Sequence, residues 1–90
     1  MELTRYEVQF TPAARRQLKK LNKGVQVQIV QALEGLAVAP RPAGVKKLKG
    51  NDGFYRIRVG DYRIIYQIND GKLIILVVLI GNRRDVYDQI

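Results

Sequence analysis

Apolar and polar positions alternate near the start of the chain, change to a three- and four-residue spacing, and return to alternation after a basic stretch. Leu3, Tyr6, Val8 and Phe10 carry the first alternation and predict a strand over Leu3–Phe10. Thr11-Pro12 then reads as a helix start, with Thr as N-cap and Pro at the first helical position. Ala14, Leu18 and Leu21 share one helix face, while Arg15, Arg16, Lys19 and Lys20 take the other. After a turn at Asn22-Lys23-Gly24, a second helix is predicted over Val25–Val38, with Val25, Ile29, Leu33 and Leu36 pointing inward. Ala39-Pro40-Arg41-Pro42 stops it. A connection this short implies an antiparallel helical hairpin.

A basic connector, Arg41 to Asn51, carries Arg41, Lys46, Lys47 and Lys49. Three strands follow, over Tyr55–Val59, Tyr62–Ile68 and Lys72–Ile80, with Gly60-Asp61 and Asp70-Gly71 as two-residue hairpin loops. Beyond Gly81 the pattern dissolves into a polar tail, Asn82 to Ile90. With no repeat or linker in view, residues 1–90 read as a single α+β domain. Its mostly antiparallel sheet, of about four strands, carries the N-terminal helical hairpin on one face.

The hairpin loops dictate which side chains share a face. A Gly60-Asp61 loop sets Val59 opposite Tyr62, Ile57 opposite Ile64 and Tyr55 opposite Tyr66, an apolar and aromatic face that belongs under the helices. On the opposite face Arg58 stands across from Arg63, with Arg56 two residues along. Like charges opposed in this way cost a few tenths of a kcal/mol to about 1 kcal/mol. Their retention on rigid strands points to an anionic ligand, whereas long side chains splayed into solvent would be the bland account. By parity the last strand adds Ile74, Leu76, Val78 and Ile80 to the arginine face, beside Ile65. An area so apolar needs cover, from the chain's own tail or from a partner polypeptide. Straight continuation of that strand would aim Arg83 at the core, so a turn at Gly81-Asn82 is expected to bring it to the arginine side.

Composition narrows the chemistry. There are no Cys and no His, which removes disulfides, thiolate metal sites and the commonest general base. Serine is absent, and the eight acids are scattered rather than clustered. No metal and no cofactor is expected. Sixteen Lys and Arg against eight acids give a net charge of +8, which favours a polyanionic partner, nucleic acid first. The N-terminus lacks a signal-peptide pattern, and the longest apolar run, Leu73–Ile80, falls far short of the ~20 residues that cross a bilayer. A cytoplasmic location without membrane contact is expected.

Guanidinium groups beside a tyrosine, without histidine, suit one kind of phosphodiester chemistry. Arginine binds phosphate oxygens with paired donors and stabilises charge on a pentacoordinate phosphorus. In RNA the 2′-hydroxyl supplies the nucleophile, so the protein need not. Arginine stays protonated near neutral pH, leaving proton removal to Tyr87, to a lysine of lowered pKa, to solvent or to a group outside the chain.

The run Lys47-Leu48-Lys49-Gly50, then Tyr55-Arg56-Ile57-Arg58-Val59, Asp61-Tyr62-Arg63-Ile64-Ile65-Tyr66, Gly81-Asn82-Arg83 and Tyr87, with Phe10 to Leu21 before it, strongly resembles the RelE toxins of the RelE/ParE superfamily. The resemblance covers nearly the whole chain. It implies a microbial-RNase-like fold and a toxin that enters the ribosomal A site and cuts mRNA by 2′-hydroxyl attack, inhibiting translation. By the same resemblance Arg56 and Arg58 match a basic pair on the first hairpin strand and Arg63 an arginine on the next. Arg83 matches a phosphate stabiliser or proton donor to the leaving group, and Tyr87 a tyrosine that orients or stacks on the nucleotide. Lys46, Lys47, Lys49 and Arg84 are expected to contact RNA or ribosome. The basic pair is often lysine in the family; arginine here favours an electrostatic over a proton-abstracting role. The resemblance also implies a cognate antitoxin in a hetero-oligomeric complex. A ParE-like gyrase poison that cleaves nothing is the alternative within the superfamily, and a generic RNA-binding module the alternative outside it.

Overall fold

The computed structural model describes residues 5–48 and 53–82. Its elements in chain order are β1 (Glu7–Phe10), α1 (Pro12–Lys19), α2 (Lys23–Val38), β2 (Lys46–Lys47), β3 (Phe54–Val59), β4 (Tyr62–Asn69) and β5 (Ile74–Asn82). The strands form a five-stranded sheet in the order β1-β5-β4-β3-β2. The pairings are antiparallel except that of β1 with β5, which is parallel. The α+β, mostly antiparallel expectation therefore holds, with one strand more than anticipated and one parallel edge.

The helix starts follow the capping chemistry. Thr11 accepts a hydrogen bond from the Ala14 amide through its side chain, and Pro12 takes the first turn. Asn22 caps α2 by accepting from Val25, so α2 begins at Lys23, two residues before the apolar stripe alone predicts. Both helices cover one face of the sheet. Ala14, Ile29, Leu33 and Leu36 pack there against Ile57, Ile64, Tyr66, Ile75, Val77 and Ile80. Full burial of an aliphatic side chain is worth about 1.5–3 kcal/mol, so this layer supplies most of the driving force for folding.

The β3–β4 hairpin has the expected register: Val59 pairs with Tyr62, Ile57 with Ile64, Arg58 with Arg63 and Arg56 with Ile65. Gly60 occupies the left-handed region at φ 58°, as a two-residue hairpin loop requires. The second hairpin differs. Asn69 pairs with Ile74, so the loop runs from Asp70 to Leu73 rather than Asp70-Gly71, and Leu73 takes the left-handed position at φ 56°. Leu73 is held there because its carbonyl accepts from the Glu7 amide at 2.8 Å, which ties the start of β1 to the loop.

A register shift changes the faces of β5. Ile65 pairs with Leu79 but Tyr66 pairs with Val77, which leaves Val78 as the extra residue of a bulge. Ile80 consequently lies opposite Ile64 on the core side, not on the arginine side as simple parity requires. Ile74, Leu76 and Leu79 are the β5 side chains on the second face, all half-buried. The strand continues through Gly81 and Asn82, opposite Arg63 and Tyr62, so the turn expected at these two residues is absent.

At the far end of the sheet a polar clasp joins the connector to the loop. Asp70 accepts from Arg41 at 2.9 Å and 3.3 Å and from the Tyr6 hydroxyl at 2.6 Å. Arg41 also donates to the Tyr55 hydroxyl, and its guanidinium lies 5.2 Å from the ring centroid of Tyr55. Tyr55 in turn stacks on the buried Tyr66, whose hydroxyl donates to the Pro40 carbonyl at 2.7 Å. Burial pushes the Tyr66 hydroxyl well above the usual tyrosine range.

The hydrogen bonds from Arg41, and then from Tyr6, hold the Asp70 carboxyl below its ordinary pKa. A carboxyl whose pKa is lower in the folded than in the unfolded state stabilises the fold above its unfolded pKa. That contribution is lost as the pH falls through the folded value. Asp70→Asn should therefore lower Tm slightly at neutral pH, and the two melting curves should converge as the wild type is acidified through the carboxylate range. At the loop, Leu73→Asn should raise stability in chemical denaturation by up to about 1 kcal/mol, because Asn tolerates the left-handed region better than Leu.

Candidate nucleic-acid interface

The β3–β4 hairpin presents the arginines as a consequence of its loop length. A two-residue turn places Arg58 directly across from Arg63, and alternation keeps Arg56 on the same face. The edge strand β2 adds to this row: Lys46 lies opposite Arg56 and joins the arginine face, whereas Lys47 lies opposite Tyr55 on the helix side. Both lysines are exposed. The basic connector thus contains a short strand, which two paired residues make too brief to recognise from pattern alone.

Arg63 is the buried polar residue of the hairpin, only 7% exposed. Its guanidinium donates to the Tyr62 carbonyl at 3.2 Å and to the Gly60 carbonyl at 3.5 Å. Arg58 donates to the same Gly60 carbonyl at 3.4 Å. The two cations therefore converge on one main-chain oxygen exposed by the left-handed glycine. A shared acceptor of this kind offsets part of their repulsion without cancelling charge. Among the described residues neither Arg58 nor Arg63 forms an ion pair. Arg56, half-buried, stands beside Ile65, which is only 4% exposed between Arg56 and Leu79.

The same face changes character along the strands. Its basic end lies at the Gly60 turn. At the other end a shallow cavity of about 380 Å³ is lined by Gln9, Gln67, Asn69, Lys72, Ile74 and Leu76 among others. A second cleft, of about 460 Å³, opens at the sheet edge between α2 and β3, where Ala32, Gly35, Leu36 and Ile57 meet Arg58. Among the described residues no three His, Cys, Asp or Glu side chains gather as metal ligands would.

The structure thus brings together Arg56, Arg58, Arg63 and Lys46 and separates Lys47 from them. Lys49, Arg83, Arg84 and Tyr87 lie outside the described residues. Sequence reasoning passed over Gln17. It occupies an inward position of α1, three residues after Ala14, and accepts a hydrogen bond from the Ile80 amide of β5 at 2.8 Å. A single polar residue within an apolar stripe was the available signal.

Known proteins share both sequence and architecture with this chain. Residues 8–87 match the family model described as ParE toxin of type II toxin-antitoxin system, parDE. A putative RelE-like toxin protein of Escherichia coli is 36% identical over 88 residues, spanning 93% of this chain and 92% of its own. The mRNA interferase toxin RelE of Escherichia coli is 30% identical, with 93% and 92% covered. Among solved structures, the archaeal RelE-RelB complex from Pyrococcus horikoshii superposes with a TM-score of 0.77 at 29% identity, covering 87% of this chain and 94% of that one. The intact Escherichia coli RelBE toxin-antitoxin complex gives 0.77 at 29% identity over 86% and 95%. A match of this extent in sequence, carried by a shared fold, has one reading: the chain belongs to the RelE/ParE toxin family of type II toxin–antitoxin systems.

Proposed function

We propose that this protein is the toxin of a toxin–antitoxin module and an endoribonuclease that cuts mRNA on the ribosome. The carrying observation is the opposed pair Arg58 and Arg63, fixed on neighbouring strands and bonded to a neutral carbonyl. A carbonyl partner leaves their charge unneutralised, with Arg58 exposed and Arg63 buried behind it. The name mRNA interferase carried by full-length relatives supports the same reading, and solved neighbours in complex with RelB support a cognate antitoxin as partner. A gyrase-poisoning role is less well supported, since the relatives that match over nearly the whole chain carry RelE and mRNA interferase names.

In the proposed reaction Arg58 and Arg63, with Arg56 alongside, hold the non-bridging oxygens of one phosphate. The ribose 2′-oxygen attacks phosphorus, the bond to the 5′-oxygen breaks, and a 2′,3′-cyclic phosphate and a 5′-hydroxyl result. The 2′-hydroxyl proton is released and one proton is taken up by the departing oxygen. Arginines stabilise the charge that accumulates on phosphorus between these events. Arg83, which follows Asn82 in the chain, is proposed as phosphate stabiliser or proton donor to the leaving oxygen, and Tyr87 as the group that orients or stacks on the nucleotide. The pairing of Gly81 with Arg63 supports this reading, since it keeps the last described residues of β5 beside the arginine row. Lys46, Lys47, Lys49 and Arg84 are proposed to contact RNA backbone or ribosome, Lys46 from the same face as the arginines. A cytoplasmic location follows from the ribosomal substrate. No helix among the described residues is long and apolar enough to cross a membrane.

Cleavage of mRNA on programmed ribosomes, read by primer extension, tests the proposal. Arg63→Ala should lower kcat by about 10²-fold, the usual loss when one transition-state donor is removed, while circular dichroism shows a folded chain. A wild-type rate in that variant would remove Arg63 from the reaction. Binding to an RNA whose attacking ribose is 2′-deoxy should weaken with salt, and Arg58→Ala should reduce the slope of log K against log salt by about 0.7. An unchanged slope would show that Arg58 does not meet a phosphate.

A further inference from the structure

Among the described residues, no strand pairs with the outer side of the end of β5 that meets Arg63. The parallel partner β1 stops at Phe10, opposite Val77. From there α1 takes over as neighbour. The Thr11 amide donates to the Val77 carbonyl at 2.9 Å, the Thr11 hydroxyl donates to the Val78 carbonyl at 3.2 Å, and Gln17 accepts from the Ile80 amide at 2.8 Å. These three contacts bracket the bulge at Val78. Thr11 is needed in any case as the cap of α1. Gln17 has no such duty, and its side chain reaches the Ile80 amide, two residues past the bulge, on the edge of β5 that β1 no longer covers.

We infer that Gln17 is a positioning residue for the cleavage reaction, acting through the Ile80 amide to hold the β5 bulge and so to keep the end of β5 against the arginine pair. The inference rests on the nuclease reading above. Its logic is parity. With Val78 bulged, Ile80 enters the core and Gly81 stands opposite Arg63 on the arginine face. Without the extra residue, alternation would turn Ile80 out and Gly81 in. The residue that stabilises the bulge therefore decides which face the strand end offers to a bound phosphate. Gln17 does this from the far side of the sheet, without touching the site.

The test compares Gln17→Leu, Gln17→Asn and Gln17→Glu with the wild-type chain. Leu removes the acceptor, Asn keeps an amide too short to reach, and Glu keeps an acceptor of full length. Leu and Asn should lower kcat on programmed ribosomes by at least about tenfold with KM little changed, as expected when geometry rather than binding is lost. Hydrogen exchange at the Ile80 amide should accelerate in parallel, and Glu should restore both. Should the Leu variant fail to melt cooperatively, the Asn and Glu pair carries the comparison. Wild-type kcat in Leu or Asn, a loss confined to KM, or a Glu variant as slow as Leu would each overturn the role. A wild-type chain that cuts no mRNA would instead overturn the nuclease reading.

Discussion

The central strand β4 has to satisfy two incompatible demands, and the rest of the molecule is arranged around that conflict. It lies between β3 and β5, so both of its edges are paired, and Arg63 through Tyr66 and Ile68 are buried. Such a position favours apolar residues throughout. Ile64, Tyr66 and Ile68 meet this demand on the helix side and Ile65 on the other. Arg63 does not. A charge so nearly buried is tolerated only where polar atoms receive it, and the carbonyls of Gly60 and Tyr62 do so because the turn is tight enough to fold them back over the strand end. The hairpin loop is thus both the connection between two strands and the coordination shell of the arginine.

Arg58 and Arg63 are best understood beside Arg41. All three are hydrogen-bonded, but their partners differ in charge. Arg41 meets the carboxylate of Asp70, and this pair closes the connector over the sheet at the end away from the Gly60 turn. Its charge is neutralised within the fold, and both partners are exposed enough for the pair to contribute little more than a fastening. Arg58 and Arg63 meet a carbonyl. A carbonyl orients a guanidinium and leaves its charge intact. The partition of arginines between an acid at one end of the sheet and carbonyls at the other separates the group that secures the fold from the groups that can attract an anion.

The parts of this arrangement that the sequence discloses are the local ones. Gly60-Asp61 between two β-rich runs specifies a two-residue turn, and a turn of that length specifies every pairing in β3 and β4, including Arg58 with Arg63. Thr11-Pro12 discloses a helix start because capping depends on residues three apart, whereas Asn22, read as part of a turn, caps α2 two residues before its apolar stripe begins. The bulge in β5 was not legible, because Ile74 to Ile80 is apolar at every position and gives alternation nothing to register. The contacts that set it come from Thr11 and Gln17, more than sixty positions earlier in the chain. Nor could two residues, Lys46 and Lys47, reveal a strand whose existence depends on the free edge of β3. Leu73 misled for a related reason. Gly71 looks like the residue for a left-handed turn, but the bond from Glu7 to the Leu73 carbonyl places that conformation two residues later.

The bulge also decides which face the end of β5 presents beside the arginines. On simple parity the end of β5 belongs to the core, and any group beyond it could reach the arginines only after a change of chain direction. With Val78 set aside from the ladder, Gly81 and Asn82 remain paired strand residues beside Arg63 and Tyr62. Opposite Arg63 the strand carries a glycine, so no β5 side chain stands beside the guanidinium at that register position. The face therefore combines donors on rigid strands with an Arg58 and Arg63 whose hydrogen bonds go to main-chain carbonyls. Both arise from the geometry of the hairpin, whereas Asp70, the acid that meets an arginine among the described residues, is committed to the clasp at the other end of the sheet.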